Sequence, residues 1–145
     1  MKIKVVLEHH GIMPERAHED DAGLDLFTPV DFFVGGNQRF TVWTGVRMEL
    51  PEGTCGLIRS KSGLLKNKGI ITDGVIDVGY TGQIAVTLIN TTPRKVFFER
   101  GDKIAQMVIT PVTYAELERV EELKETERGD RGFGSTGAKS FGRQI

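Results

Sequence analysis

Cysteine is nearly missing from this chain: Cys55 stands alone. No disulfide can form within it, which fits a reducing cytoplasm, and a lone cysteine reads as a small buried residue rather than a nucleophile. Histidine is scarce too, with His9, His10 and His18 the whole supply. Neighbours such as His9 and His10 point to opposite faces of an extended segment, which argues against a zinc site or a Ser-His-Asp triad. There is no excess of charge of one sign. Nineteen Lys and Arg face twenty Asp and Glu, a net charge of −1, so nothing in the balance points to nucleic acid or an anionic membrane as partner. An anionic substrate therefore requires a local cluster of cations. No apolar run approaches the roughly 18 residues of a membrane span. The opening Met1-Lys2-Ile3-Lys4 alternates at once and shows no secretory pattern, so the expected location is cytoplasmic.

Glycine, by contrast, is plentiful. Eighteen glycines and five prolines punctuate short apolar runs, the pattern of an all-β chain, and 145 residues suit one core. A half-buried first strand is expected over 2–5, then strands over 30–34, 39–43, 46–50, 54–58, 82–90, 95–99 and 103–109. Only 62–68 reads as a short helix, stopped by Gly69. Over 115–127, Leu117, Val120 and Leu123 recur at three-residue spacing among glutamates, a helical composition. From Thr126 the chain turns glycine-rich with little to build a core, so the expected division is a β domain over 1–125 and an arm over 126–145. Such an arm is either a plain tail or a segment that orders around a ligand, its glycines letting N–H groups approach phosphate oxygens.

Five segments carry chemistry. They are Ala22-Gly23-Leu24-Asp25-Leu26, Arg59-Ser60-Lys61-Ser62-Gly63-Leu64, Gly74-Val75-Ile76-Asp77 with Tyr80 and Gly82, Gly101-Asp102-Lys103-Ile104-Ala105-Gln106, and 128–137. Taken alone, Asp25 is a turn former, Ser62 an N-cap, Tyr80 a packed aromatic and Gln106 a solvent-facing strand residue. Asp77 sits between Ile76 and Val78, where a structural carboxylate needs a partner and a functional one serves as a base that holds a water. The stretch Gly132-Phe133-Gly134-Ser135-Thr136-Gly137-Ala138-Lys139-Ser140 has one residue too many before its lysine for a P-loop and lacks the flanking strand and amphipathic helix.

In order and spacing these segments resemble the trimeric dUTPase family, from about Ala22 to Gly137. The resemblance implies a jelly-roll-like β-barrel in a homotrimer, with sites shared between subunits and closed by a flexible C-terminal arm. It implies Mg²⁺-assisted attack of water on the α-phosphorus of dUTP, giving dUMP and diphosphate. That reaction keeps uracil out of DNA and supplies dUMP for thymidylate synthesis. It implies Asp77 as the water-orienting base, Ser62 on the bridging oxygen, Gln106 on the α-phosphate and Asp25 on the metal through water. Lys61, Gly63 and Arg128 belong to the phosphate site, and Gly74, Val75, Ile76 and Tyr80 to the uracil and deoxyribose site, where a hairpin over 74–82 is implied to read the uracil edge with its backbone. Phe133 is implied to stack on the base, with Gly134, Ser135 and Thr136 beside the γ-phosphate. Lys61 stands where the family usually has arginine, keeping the charge but losing the bidentate fork. Gly79 and Arg131 depart from the pattern as well. The rival readings are a dCTP deaminase, which shares the architecture but is usually longer, and a nucleotide-switched protein that binds an unknown regulatory partner.

Overall fold

The structure, a computed structural model, describes residues 1–137. Residues 138–145, which hold Lys139 and Ser140 of the P-loop-like stretch, lie outside the described residues. The chain divides into two compact units, Met1–Thr113 and Tyr114–Ile145.

The first unit is all-β apart from one short helix. Its strands are β1 (Lys4–Leu7), β2 (Gly23–Phe27), β3 (Phe32–Val34), β4 (Arg39–Glu49), β5 (Thr54–Arg59), β6 (Ile70–Ile71), β7 (Asp73–Ile76), β8 (Gln83–Asn90), β9 (Val96–Phe98) and β10 (Lys103–Pro111). One sheet runs β1-β4-β8-β6 and another β2-β10-β5-β7, while β3 and β9 form a two-stranded ribbon. Each pairing is antiparallel. Period-two burial sets the faces: Ile84, Val86 and Leu88 of β8 are buried while Ala85, Thr87 and Ile89 are not. They meet Leu26, Ile58 and Met107 from the second sheet in one apolar core, a jelly-roll-like arrangement.

Helix α1 (Ser62–Lys68) ends at Gly69 in the left-handed conformation, as the sequence pattern requires. Its N-cap is Lys61, without a side-chain cap, so Ser62 is the first helical residue and not the cap. The first strand falls over 4–7 instead of 2–5 and is mostly exposed, because β1 lies at a sheet edge. The runs 39–43 and 46–50 merge into β4, which bulges at Gly45. Three further strands form where the sequence suggested none: β2 at a polar turn, the two-residue β6 just after the helix, and β7 in a motif.

In the second unit no helix forms over 115–127. Leu117 and Leu123 are 97% and 86% exposed, so the apolar spacing there buries no face. A helix gains most of its stability from such burial, which is why the composition alone does not produce one. Around the arm glycines the chain makes tight turns: the Arg131 N–H donates to the Arg128 carbonyl at 3.2 Å and the Ser135 N–H to Gly132 at 3.1 Å.

Candidate active site

The residues singled out from the sequence fall into three groups. The first lies on the outward face of the β2-β10-β5-β7 sheet. Register sets Asp25 opposite Gln106, Gln106 opposite Arg59, and Arg59 opposite Asp73, a row across all four strands. Their neighbours Leu26, Met107 and Ile58 face the core, so alternation turns this row away from it. Asp25 is nevertheless buried, only 3% exposed, because two lysines cover it. Lys61 donates to its Oδ1. The Lys103 ammonium lies 2.7 Å from Oδ2, off the line of a hydrogen bond, so that buried oxygen is held by charge. Burial pushes the Asp25 carboxyl up, but Lys103 and Lys61 together outweigh it and hold it below its ordinary value. The contact with Asp25 raises Lys103 in turn.

Two ammonium groups around one carboxylate leave a net positive charge, the local cluster that a chain of near-zero net charge needs for an anionic ligand. Ser62 and Gly63 lie exposed beside it at the start of α1. Gln106 directs its amide to the Ser60 carbonyl at 3.1 Å. Lys103 was not among the residues expected from sequence. Its signal was its place in the Gly101-to-Gln106 segment, three residues before Gln106, at the end of a strand next to β2.

The second group surrounds the turn that follows β7. Trp43, Val75, Ile76, Asp77, Tyr80 and Ala85 line an open cleft of about 230 Å³. Asp77 is exposed just past the strand end, so it carries no desolvation cost and is available to hold a water. Gly74, in the strand that leads to it, stands opposite Ile58. The sequence suggested a hairpin over 74–82, but β7 and β8 are not paired with each other. They belong to different sheets, and the turn carries the chain from one to the other. The Tyr80 N–H donates to the Asp77 carbonyl at 3.0 Å and the Tyr80 hydroxyl to the Gln83 carbonyl at 2.7 Å. A Cβ at Gly82 would sit 2.7 Å from the Tyr80 hydroxyl, so only glycine lets that ring lie down on the turn.

The third group belongs to the arm: Arg128, Phe133, Gly134, Ser135 and Thr136 are all exposed. Phe133 has its whole ring free of contacts that would hide it from solvent, 113% of the reference exposure.

Strand geometry separates the first two groups. Asp77 lies four residues beyond Asp73, about 13 Å along the strand, and β10 is two strands, about 10 Å, from β7. Asp77 and Gln106 of one chain are therefore on the order of 15 Å apart in the backbone. Gln106 moreover points to Ser60, on its own sheet.

No cluster of three or more His, Cys, Asp or Glu capable of holding a metal occurs among the described residues. Asp25 offers a single carboxylate, with one buried oxygen lacking a hydrogen bond. That donor set fits an ion carried by substrate phosphates, where one or two carboxylates suffice, and does not fit an ion bound by protein alone. For Asp25 to meet such an ion through water, Lys103 must move off Oδ2.

The dUTPase family model matches residues 9–137, spanning all five segments. The chain belongs to the dUTPase family. The deoxyuridine 5'-triphosphate nucleotidohydrolase of Gloeothece citriformis is 46% identical over 144 residues, 97% of this chain and 99% of that protein. That of Corynebacterium glutamicum is 45% identical over 140 residues, 93% and 94% of the two chains. Among solved structures, the Staphylococcus bacteriophage 80alpha dUTPase with dUPNHPP superposes with a TM-score of 0.87 at 30% identity, covering 94% of this chain and 98% of that one. A mutant dUTPase from phage phi11 of S. aureus, described with a structural Mg(II) ion, gives 0.78 at 28% identity over 84% of this chain and 98% of that one. The all-β fold of this dUTPase is thus the fold of its solved relatives. Among the described residues no helix is long and apolar enough to cross a membrane.

Proposed function

We propose that this dUTPase hydrolyses dUTP to dUMP and diphosphate at sites shared between the copies of a homotrimer. One copy supplies Asp77 and Tyr80, a second supplies Lys61, Ser62, Gly63 and Gln106, and the arm from residue 126 of a third closes the site. The observation that carries this reading is the separation of Asp77 from Gln106, on the order of 15 Å along and across the strands of one chain. A water at Asp77 must come to roughly 3–3.5 Å from the phosphorus it attacks. A neighbouring copy that brings its Gln106 face to the Asp77 cleft satisfies both requirements at once.

The roles follow from chemistry. Uracil enters the cleft with its edge against the backbone of Gly74, Val75 and Ile76, whose N–H and C=O groups read its donor and acceptor order. Tyr80 underlies the deoxyribose and leaves no space for a 2′-hydroxyl. Asp77, exposed on the turn, orients the water and accepts its proton as attack on the α-phosphorus begins. Lys61 neutralises charge on the α-phosphate and the Gln106 amide donates a hydrogen bond to it, Ser62 donates to the bridging oxygen that departs with diphosphate, and Arg128, Ser135 and Thr136 hold the γ-phosphate. Phe133 stacks on the base and holds the arm down. Asp25 would hold Mg²⁺ through water, and the ion would supply charge neutralisation for the triphosphate. The enzyme works in the cytoplasm, in keeping with the buried free thiol of Cys55, where it keeps uracil out of DNA and supplies dUMP.

Asp77→Asn keeps the shape of the side chain and removes its charge. Single-turnover hydrolysis of dUTP should fall by orders of magnitude, while calorimetry finds metal-dependent nucleotide binding little changed. Near-normal turnover in this variant would show Asp77 to be structural.

A further inference from the structure

The turn over 77–82 carries Asp77 and Tyr80 yet has no ladder of its own, since the strands on either side of it belong to different sheets. Something else must hold it. In the β4–β8 ladder the register jumps from Trp43↔Ala85 to Arg47↔Gln83, so β4 has two extra residues there. The bulge centres on Gly45 at φ 71°, whose N–H and C=O lose their ladder partners. Gln83 and Glu8 replace them: the Gly45 N–H donates to Gln83 Oε1 at 3.1 Å, and the Glu8 N–H donates to the Gly45 carbonyl at 2.8 Å.

The same two residues then join each other and the turn. Gln83 Nε2 donates to Glu8 Oε2 at 2.8 Å, and Arg47 Nη1 to Glu8 Oε1 at 3.3 Å. Arg47 Nε donates to the Thr81 carbonyl at 2.8 Å, and the main-chain carbonyl of Gln83 accepts the Tyr80 hydroxyl. Only one orientation of the Gln83 amide satisfies both Gly45 and Glu8, so its rotamer is fixed from both ends. Glu8 and Arg47 are each about two-fifths exposed, so their ion pair by itself contributes little. Their weight lies in aiming two hydrogen bonds at the turn.

We infer that Glu8, Arg47 and Gln83 are positioning residues for the nucleotide-binding turn, setting the Tyr80 ring and with it the rejection of ribonucleotides. This rests on the reading of Tyr80 as the floor of the deoxyribose site. None of the three touches the cleft. They act through Thr81, Gly82 and Tyr80.

The test compares full-length Glu8→Ala, Glu8→Gln, Gln83→Met and Tyr80→Ala, assayed with dUTP and UTP. Trp43, the sole tryptophan and a wall of the same cleft, reports dUMP binding by its fluorescence. Glu8→Ala should raise KM for dUTP about tenfold, equal to ~1.4 kcal/mol, with kcat within about twofold. Its preference for dUTP over UTP should fall by a similar factor, Gln83→Met should follow it, and dUMP titration of Trp43 should weaken in step. Glu8→Gln keeps an acceptor for Gln83 and should recover most of the loss. A purely structural role would lower stability and leave the dUTP/UTP ratio where it was. An unchanged ratio in both Glu8→Ala and Gln83→Met, with the ratio lost in Tyr80→Ala, overturns the positioning role alone. An unchanged ratio in Tyr80→Ala overturns the sugar-floor reading and this inference with it.

Discussion

Replacing Asp25 by asparagine keeps the volume of a buried side chain and deletes the one charge that two lysines share. The carboxylate is 3% exposed, and its burial alone would favour the protonated form. Lys103 and Lys61 reverse that and depress its pKa. A depressed carboxylate contributes stability above its unfolded value of about 3.9, and that contribution is lost as pH falls through the lower folded value. The charge-assisted hydrogen bond from Lys61 is worth ~1.5–3 kcal/mol before relaxation, and Lys103 adds the attraction of a nearby charge. The Lys61 and Lys103 side chains, 27% and 40% exposed, regain water once released, so much of that is recovered. A net loss of about 2 kcal/mol remains at pH 7, or ~4–8 °C in Tm for a chain of this size. Unfolding by heat or urea, at one fixed protein concentration, measures it from pH 7 downward. Wild type and Asp25→Asn should differ most at neutral pH and converge as pH falls below about 4. Equal stability at pH 7, or two profiles that stay parallel into acid, would refute the ion-pair account of Asp25.

Three further outcomes are expected. A nucleotide panel assayed for diphosphate release should show dUTP preferred over UTP, dCTP and dTTP by roughly 10⁴–10⁵, the discrimination open to a site built for hydrogen bonding; ammonia release from dCTP would point instead to deamination. Phe133→Ala should raise KM about fivefold or more through loss of a base stack worth ~1–3 kcal/mol, with the fold intact because the ring is fully exposed. Chelation of divalent metal should stop turnover and leave Tm unchanged, since among the described residues no group of side chains holds an ion by itself. A drop in Tm on chelation would reveal a resident metal.

Local signals were read well from the sequence, non-local ones poorly. Gly69 marks the end of α1 because a left-handed residue there is a backbone requirement that the sequence displays directly. The strand at Gly23–Phe27 was missed because aspartate and glycine are poor strand formers. What makes Asp25 tolerable inside a sheet is Lys61 and Lys103, 36 and 78 residues away along the chain. The apparent hairpin over 74–82 failed for a similar reason: Leu57 and Ile58 of β5 take up the ladder of Val75 and Gly74, and only the folded chain shows that choice. The helical spacing of Leu117, Val120 and Leu123 misled because nothing buries it. As for the candidate site, the motifs singled out its residues, but only strand register shows that Asp77 and Gln106 stand on the order of 15 Å apart within a chain.

That separation makes mixing of inactive chains the most direct measurement. Asp77→Asn lacks the water-orienting carboxylate, and the double variant Lys61→Met/Gln106→Ala lacks the phosphate contacts; each by itself should be nearly dead. Co-refolded 1:1 at random, a given site draws its Asp77 from a double-variant chain with probability one half and its Lys61 and Gln106 from an Asp77→Asn chain with the same probability. Recovered dUTP hydrolysis should approach about one quarter of wild type per site in a closed homo-oligomer with independent sites. No recovery above the two parent variants would contradict the shared site and place the whole reaction within a single chain.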